Sequence, residues 1–263
     1  MSTCGREAEP MKNRIIAVAV QKGGTGKTTT AAALAQAAVF QGRRCLAIDF
    51  DPQGNLSQAL GAQITPGPGN SYNLLAGLPA AQLIQMTGQG IDIIPACLDL
   101  AAISSGRGSA RRLQKALEPL KKDYPLIVID TPPTAGELLY NAIQAATGLI
   151  IPLQADSFNI QSLYQITDVV EQFKKSNPGL AVAGVLLTSY DGRTKHARQI
   201  RDIIKDQAAG LGLPYLGEVR RSIAVQEAAT LRQSLFEYAP RSNPAADYLR
   251  IYERITGGTL KNE

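Results

Sequence analysis

The nine residues Gln21-Lys22-Gly23-Gly24-Thr25-Gly26-Lys27-Thr28-Thr29 carry three glycines, two lysines and three hydroxyl side chains. Binding of a phosphate chain is the chemistry that needs this set. Glycines let successive backbone N–H groups turn toward an anion without a Cβ in the way, and a helix starting straight afterwards adds the positive end of its dipole. Lys27 supplies a point charge for the outer phosphate oxygens and Thr28 offers a hydroxyl to Mg2+, while Gly23, Gly24, Thr25, Gly26 and Thr29 complete the cradle. The strict phosphate-loop pattern asks for glycine where Gln21 stands. The remaining pattern still arises by chance in only on the order of one in ten thousand chains of this length, which sets aside an ordinary glycine-rich turn.

A second lysine inside the loop is superfluous for the cradle, because Lys27 already serves it. Lys22 is therefore either a solvated surface side chain or a cation that reaches the phosphates of a second copy meeting the first face to face. In the second case the nucleotide is part of the interface, and dimerisation depends on the γ-phosphate.

Carboxylates follow at two strand ends. In Asp49-Phe50-Asp51-Pro52-Gln53-Gly54-Asn55, strand alternation puts Asp49 and Asp51 on the same side, and ligands of parallel sheets lie at the carboxyl ends of strands. Both acids thus approach the phosphate pocket, unless one of them, more readily Asp49, caps the next turn. In Ile127-Val128-Ile129-Asp130-Thr131-Pro132-Pro133, an apolar run closes in one acid, the Walker B pattern. Asp130 is expected to hold the Mg2+ shell through water, since Mg2+ keeps several waters and few carboxylates. Asp51 is left to orient the attacking water.

The elements that must position these groups alternate along the chain. Strands are predicted over Ile15 to Val20, Cys45 to Asp49, Ile91 to Pro95, Leu126 to Asp130, Leu149 to Leu153, Val182 to Thr188 and Leu213 to Leu216. Helices are predicted over Lys27 to Gln41, Arg107 to Lys122, Gly136 to Ala146, Ser157 to Lys175, Thr194 to Ala209 and Asn243 to Ile255. Such alternation implies crossover connections and an α/β fold, a mostly parallel twisted sheet with helices on both faces. The Pro/Gly-rich stretch Ile64 to Gly77 reads as a mobile surface excursion. The 263 residues divide into a flexible leader over 1–13, one domain over 14–256 and a flexible tail over 257–263.

Composition narrows the function classes. With 44% hydrophobic and 19% charged residues the chain is globular, and with 5% aromatics and no Trp it lacks a stacking platform for single-stranded nucleic acid. No membrane span or secretory signal is expected, and Cys4, Cys45 and Cys97 have no paired spacing, which fits a reducing cytoplasm without a metal cluster. Net charge is +5, and Arg198, Arg201 and Lys205 fall on one face of a predicted helix, spaced to neutralise duplex phosphates without reading bases. Asp202 and Asp206 on that helix leave a mixed solvated surface as the alternative. His196, the one histidine, has no obvious partner for a metal or acid/base role.

Together these residues resemble the ParA/MinD family of deviant Walker A ATPases, and within it the small ParA/Soj-type partitioning ATPases. The likeness runs from Arg14 to about Ile255 and includes Ile93-Ile-Pro-Ala, Gly184-Val-Leu-Leu-Thr and Gln226-Glu-Ala besides the motifs above. It implies a P-loop fold, Mg2+ and ATP as ligands, and an ATP-sandwich homodimer in which Lys22 crosses to the partner's nucleotide and Asp51 positions water. It also implies slow hydrolysis raised by a ParB-like centromere-binding protein and by nonspecific double-stranded DNA, with nucleoid association in the ATP state. One departure is Ala224, which stands where the family often carries a DNA-contacting arginine, although Arg220 and Arg221 are close by; a second is the lack of the usual Pro-Arg pair near the adenine. A ParA-like ATPase positioning another cargo is the alternative. A MinD-like membrane cycler would need a C-terminal amphipathic helix, and an iron-protein relative would need paired cysteines.

Overall fold

The computed structural model describes residues 14–64, 67, 69–103, 110–156 and 159–257. The leader expected over 1–13, Thr65, Pro66 and Pro68, the first residues of the helix expected from Arg107, Ser157, and the tail beyond Gly257 lie outside the described residues.

Among the described residues, eight strands form one sheet. They are β1 (Arg14–Val18), β2 (Cys45–Asp49), β3 (Gln85–Met86), β4 (Asp92–Ile94), β5 (Leu126–Asp130), β6 (Gly148–Leu153), β7 (Ala181–Tyr190) and β8 (Tyr215–Arg220). Their order is β3-β4-β2-β5-β1-β6-β7-β8, and every pairing is parallel except β3 with β4. β1 lies between β5 and β6, so the chain first winds to one side of β1 and later to the other. Crevices for ligands form at the carboxyl ends of strands at such a reversal.

Period-two alternation builds two cores, one on each face. Ile16 and Val18 join one cluster and Ile15 and Ala17 the other, as Val128 and Ile127 do in β5. The first face is covered by α1 (Lys27–Phe40), α2 (Asn55–Leu60), α8 (Ala224–Thr230), α9 (Leu235–Tyr238) and α10 (Asn243–Thr256). The second carries α3 (Ser71–Ala76), α4 (Arg112–Leu117), α5 (Glu137–Ala145), α6 (Asn159–Lys174) and α7 (Lys195–Gly210). The alanines of α1 leave no bulk between its backbone and the sheet, so the helix sits low and its N-terminus meets the end of β1 closely.

Three expectations need correction. The Pro/Gly-rich excursion contains α3, because Asn70 caps it by accepting from the Asn73 N–H and Leu74 and Leu75 are buried. α4 ends at Leu117 rather than running to Lys122, since Pro119 has no N–H for the helical ladder and the chain continues as a 3-10 turn over Glu118–Leu120. β8 is displaced to Tyr215–Arg220, because this edge strand buries only Leu216 and Val219 and shows no continuous apolar run. No helix among the described residues is long and apolar enough to cross a membrane.

Candidate functional site

The loop between β1 and α1 follows from its glycines. Gly24 has φ +74° and Gly26, the residue before α1, φ +85°, a region that a side chain disfavours. At Gly26 a Cβ would also press on Thr188 Oγ1 at 3.1 Å. Carbonyls of the loop are held by side chains around it. Lys27 Nζ donates to Lys22 O (2.6 Å), Gln154 Nε2 to Gly24 O (2.6 Å) and Thr188 Oγ1 to Thr25 O (2.7 Å). Thr25 and Lys27 are buried, while Gly23 and Gly24 are exposed and Thr28 and Thr29 half-buried.

A cleft of about 880 Å³ opens over this loop, lined by Lys27, Thr28, Asp51, Pro133 and Gly136 among others. Burial lowers the Lys27 amine below its ordinary value, against the pull of Asp130 and Asp51. Thr28 Oγ1 donates to Asp130 Oδ2 at 2.7 Å. Asp130 Oδ1 is fully buried without a hydrogen-bond partner. A hydroxyl joined to a carboxylate whose second oxygen is orphaned beside a phosphate loop is a donor set that suits Mg2+.

The two acids of Asp49-Phe50-Asp51 part company. Asp51 lines the cleft, and its Oδ1 accepts from the Gln53 N–H at 3.0 Å. Asp49 is fully buried and turned away: its Oδ2 accepts from Ser57 N (2.8 Å) and Ser57 Oγ (2.7 Å), and its Oδ1 from Asp51 N (3.1 Å). Asp49 therefore caps the first turn of α2 and pins the backbone of Asp51, so of the two readings open for Asp49 the structure takes the turn-capping one.

Asp49 and Asp130 are register partners on β2 and β5, and both carboxyls are pushed up, first by burial. Asp49 moves from 3.8 to about 6. An unfolded chain releases these protons near the ordinary value and the folded one keeps them longer, so their contribution to stability is greatest in acid and is lost as pH rises, for Asp49 through about 6. A divalent cation beside Asp130 favours the ionised pair. Mg2+ with nucleotide is accordingly expected to raise the melting temperature more near about pH 8 than near about pH 5. Equal shifts at both pH values in a thermal melt would argue against a cation at Asp130.

Lys22 forms a two-point pair with Asp156, 3.1 and 3.2 Å to its two carboxylate oxygens. It stands beside the cradle of its own chain while Lys27 lies over it. On α7, Arg198 donates to Gly192 O and Arg193 O, Arg201 pairs with Asp202, and Lys205 lies 5.9 Å from the Tyr215 ring centre. Tyr190 links this face to the end of β8: Arg201 lies 5.9 Å from its ring centre, Arg220 is its register partner, and its carbonyl accepts from Arg221 N. Arg221 is exposed, whereas the Arg220 guanidinium is anchored on Asp247. Ala224 opens α8, and His196 is exposed. No group of three or more His, Cys, Asp or Glu side chains among the described residues could hold a metal ion.

Sequence reasoning passed over Thr188, Gln154, Ser57 and Asp247. Thr188 lay in view as the polar end of an apolar strand; Gln154 and Asp247 act through side-chain bonds to residues far away in sequence, and Ser57 through a bond back to Asp49 across a turn, and none of these leaves a local pattern.

Residues 13–182 match a family model described as an AAA domain. The chain is 34% identical over 252 residues to the chromosome-partitioning ATPase Soj of Thermus thermophilus, covering 93% of this chain and 96% of that protein. It is 33% identical to the sporulation initiation inhibitor protein Soj of Bacillus subtilis, over 92% of this chain and 98% of that one. Among solved structures, a cobyrinic acid a,c-diamide synthase from Mycobacterium smegmatis with bound ADP and magnesium is similar with TM-score 0.77 and 32% identity, covering 90% of this chain and 91% of that one. The septum site-determining protein MinD of Pyrococcus horikoshii, complexed with Mg-ADP, is similar with TM-score 0.75 and 25% identity, covering 91% and 94%.

Proposed function

The chain belongs to the ParA/MinD family of P-loop ATPases, and we propose that it is a partitioning switch: an ATP-bound homodimer held on nonspecific double-stranded DNA and released when a ParB-like partner stimulates hydrolysis. The observation that carries this reading is the joint placement of Lys27, Thr28 and Asp51 around one cleft, with Asp130 bonded to Thr28 behind it and Lys22 beside it. Residues 14–256 act as the ATPase domain between a leader over 1–13 and a tail over 257–263, in the cytoplasm and, with ATP, on the nucleoid.

Residues of the cradle divide the work. Gly23, Gly24, Thr25, Gly26 and Thr29 shape a ring of backbone donors for the phosphates, and Lys27 neutralises the oxygens on which charge grows as the terminal phosphoryl leaves. Thr28 and Asp130 would hold Mg2+, which would supply charge neutralisation for the phosphates. Asp51 orients water in line with the bond to be broken, and Lys22 adds charge from the partner's side. Sizing chromatography with ATP and with ADP tests the switch: a dimer is expected with ATP alone, and a monomer under both conditions would overturn it.

DNA binding is assigned to Arg198, Arg201, Lys205 and Arg221, with Arg220 behind them at the end of β8. Such contacts act on phosphates, so affinity is expected to require ATP, to fall by about tenfold or more between low and physiological salt, and to drop for Arg198→Ala and Arg221→Ala. Equal duplex affinity without nucleotide would mark the charge as incidental. The apolar face of α10 favours this partner over a membrane surface, because Tyr248, Ile251, Tyr252 and Ile255 are buried against the first face of the sheet.

A further inference from the structure

The wall of the large cleft contains one more buried acid, Glu137, set apart from Lys27, Thr28, Asp130 and Asp51. It is the first residue of α5 and is 6% exposed, and its Oε1 is buried with no hydrogen-bond partner among the described residues. Arg112, the first residue of α4, brings Nη1 to 3.5 Å from that oxygen. That is an ion pair without a hydrogen bond. The Arg112 side chain stays 53% exposed, so the guanidinium is free to adjust while the carboxylate is not.

Packing of α4 on α5 does not require this carboxylate. Asn141 already closes the seam, since its Oδ1 accepts from Leu113 N at 3.2 Å and its Nδ2 donates to Glu137 O at 3.0 Å, and Leu113, Leu117 and Leu139 bury their side chains in the same core. The start of a helix favours a negative charge, but a buried carboxylate with an orphaned oxygen is costly, and an apolar side chain of similar volume is often as stable in its place. A charge kept at that cost in a cleft wall calls for a reason other than the fold.

The segment in front of Glu137 supplies one. Residues 131–136 join Asp130 to α5, and residues 132–138 line the cleft. At the Asp130 end, Thr131 is buried and its Oγ1 donates to Val18 O at 2.9 Å, while Pro132 and Pro133 fix φ at the next two positions. Further along, Ala142 and Ile143 seat α5 in the core, but its first turn, where the segment arrives, is held through Glu137. A stiff segment pinned at one end is placed by its other end.

We propose that Glu137 is a positioning residue for ATP hydrolysis, with Arg112 as its countercharge: the pair fixes residues 131–136 and through them the setting of Asp130 and of the cleft wall. At 3.5 Å the pair has room to tighten, as supporting bonds of active sites do when the reacting complex forms. Neither residue touches the nucleotide. The proposal rests on ATP hydrolysis in this cleft and not on the dimer or the DNA contacts.

The test measures steady-state hydrolysis of Mg-ATP by the full chain, affinity for a nonhydrolysable ATP analogue with Mg2+, and sizing in ATP. Arg112→Ala and Glu137→Gln are each expected to lower kcat by about tenfold, with analogue affinity held within about twofold and the oligomeric state in ATP unchanged. The double variant is expected to lose no more than either single one, and Arg112→Lys, which keeps the charge, to recover part of the rate. Should Glu137→Gln fail to fold, the two Arg112 variants, at a half-exposed side chain, decide alone. Four results would overturn the proposal: full kcat in Arg112→Ala; losses that multiply in the double variant, which mean two independent roles; an equal loss of analogue affinity, which means a disturbed cradle; or a change of oligomeric state that tracks the loss of rate, which means an interface contact. A wild-type chain that neither bound the analogue nor hydrolysed ATP would instead remove the ATP reading itself, and the proposal with it.

Discussion

Asp51→Ala is expected to lower ATP hydrolysis by about 10²–10³-fold while ATP still binds, so that the protein accumulates as an ATP-bound dimer. Asp51 is 8% exposed and lines the cleft above Lys27 and Thr28. Its Oδ1 is engaged by the Gln53 N–H and its own N–H by Asp49, so the backbone is clamped and Oδ2 is the atom available to water. Removing the carboxylate takes away the group that orients the attacking water and leaves the phosphate cradle, to which Asp51 contributes no hydrogen bond. Single-turnover phosphate release together with sizing in ATP measures both halves. Unchanged hydrolysis would remove Asp51 from the mechanism, and lost ATP binding would make it part of the cradle instead.

Much of the site was readable because it is local. Gly23 to Thr29 carry their geometry in their own residue types, and Asp130 ends an apolar run that has only one way to sit in a parallel sheet. The strand pairs that flank β1 were not readable in the same way, since which strand lies beside which is set by crossovers rather than by neighbours in sequence. The same limit explains Asp49. Two acids at spacing two share a side of an ideal strand, but β2 ends at Asp49, and beyond it the chain turns so that Asp49 faces Ser57 while Asp51 faces the cleft. Composition missed α3 because a helix of six residues depends on its Asn70 cap and on burial of Leu74 and Leu75, not on periodicity. Arg220 and Arg221 are adjacent, alike in sequence and both exposed, yet a carboxylate 27 residues away from Arg220 anchors its guanidinium.

Lys22→Ala is expected to bind ATP as a monomer with nearly wild-type affinity and to lose the ATP-dependent dimer by about 10³-fold. Lys27 already covers the loop by bonding Lys22 O through its own amine, a contact with the backbone that alanine at position 22 preserves. The Lys22 amine meanwhile pairs with Asp156, with side chains 30% and 41% exposed. A half-exposed pair of this kind is worth little, about 0.2–1 kcal/mol, so it yields readily to a partner's triphosphate buried between two copies. Because a twofold interface uses each lysine once, truncation removes two such contacts per dimer. Asp156→Asn tests the exchange from the other side: with the resting partner weakened, the ATP dimer should tighten by a few-fold, while monomer binding stays as it was. Sedimentation across a concentration series with ATP resolves these shifts. A Lys22→Ala protein that dimerises as well as the wild type would show that the lysine stays with Asp156, and the interface would then need a different source of charge.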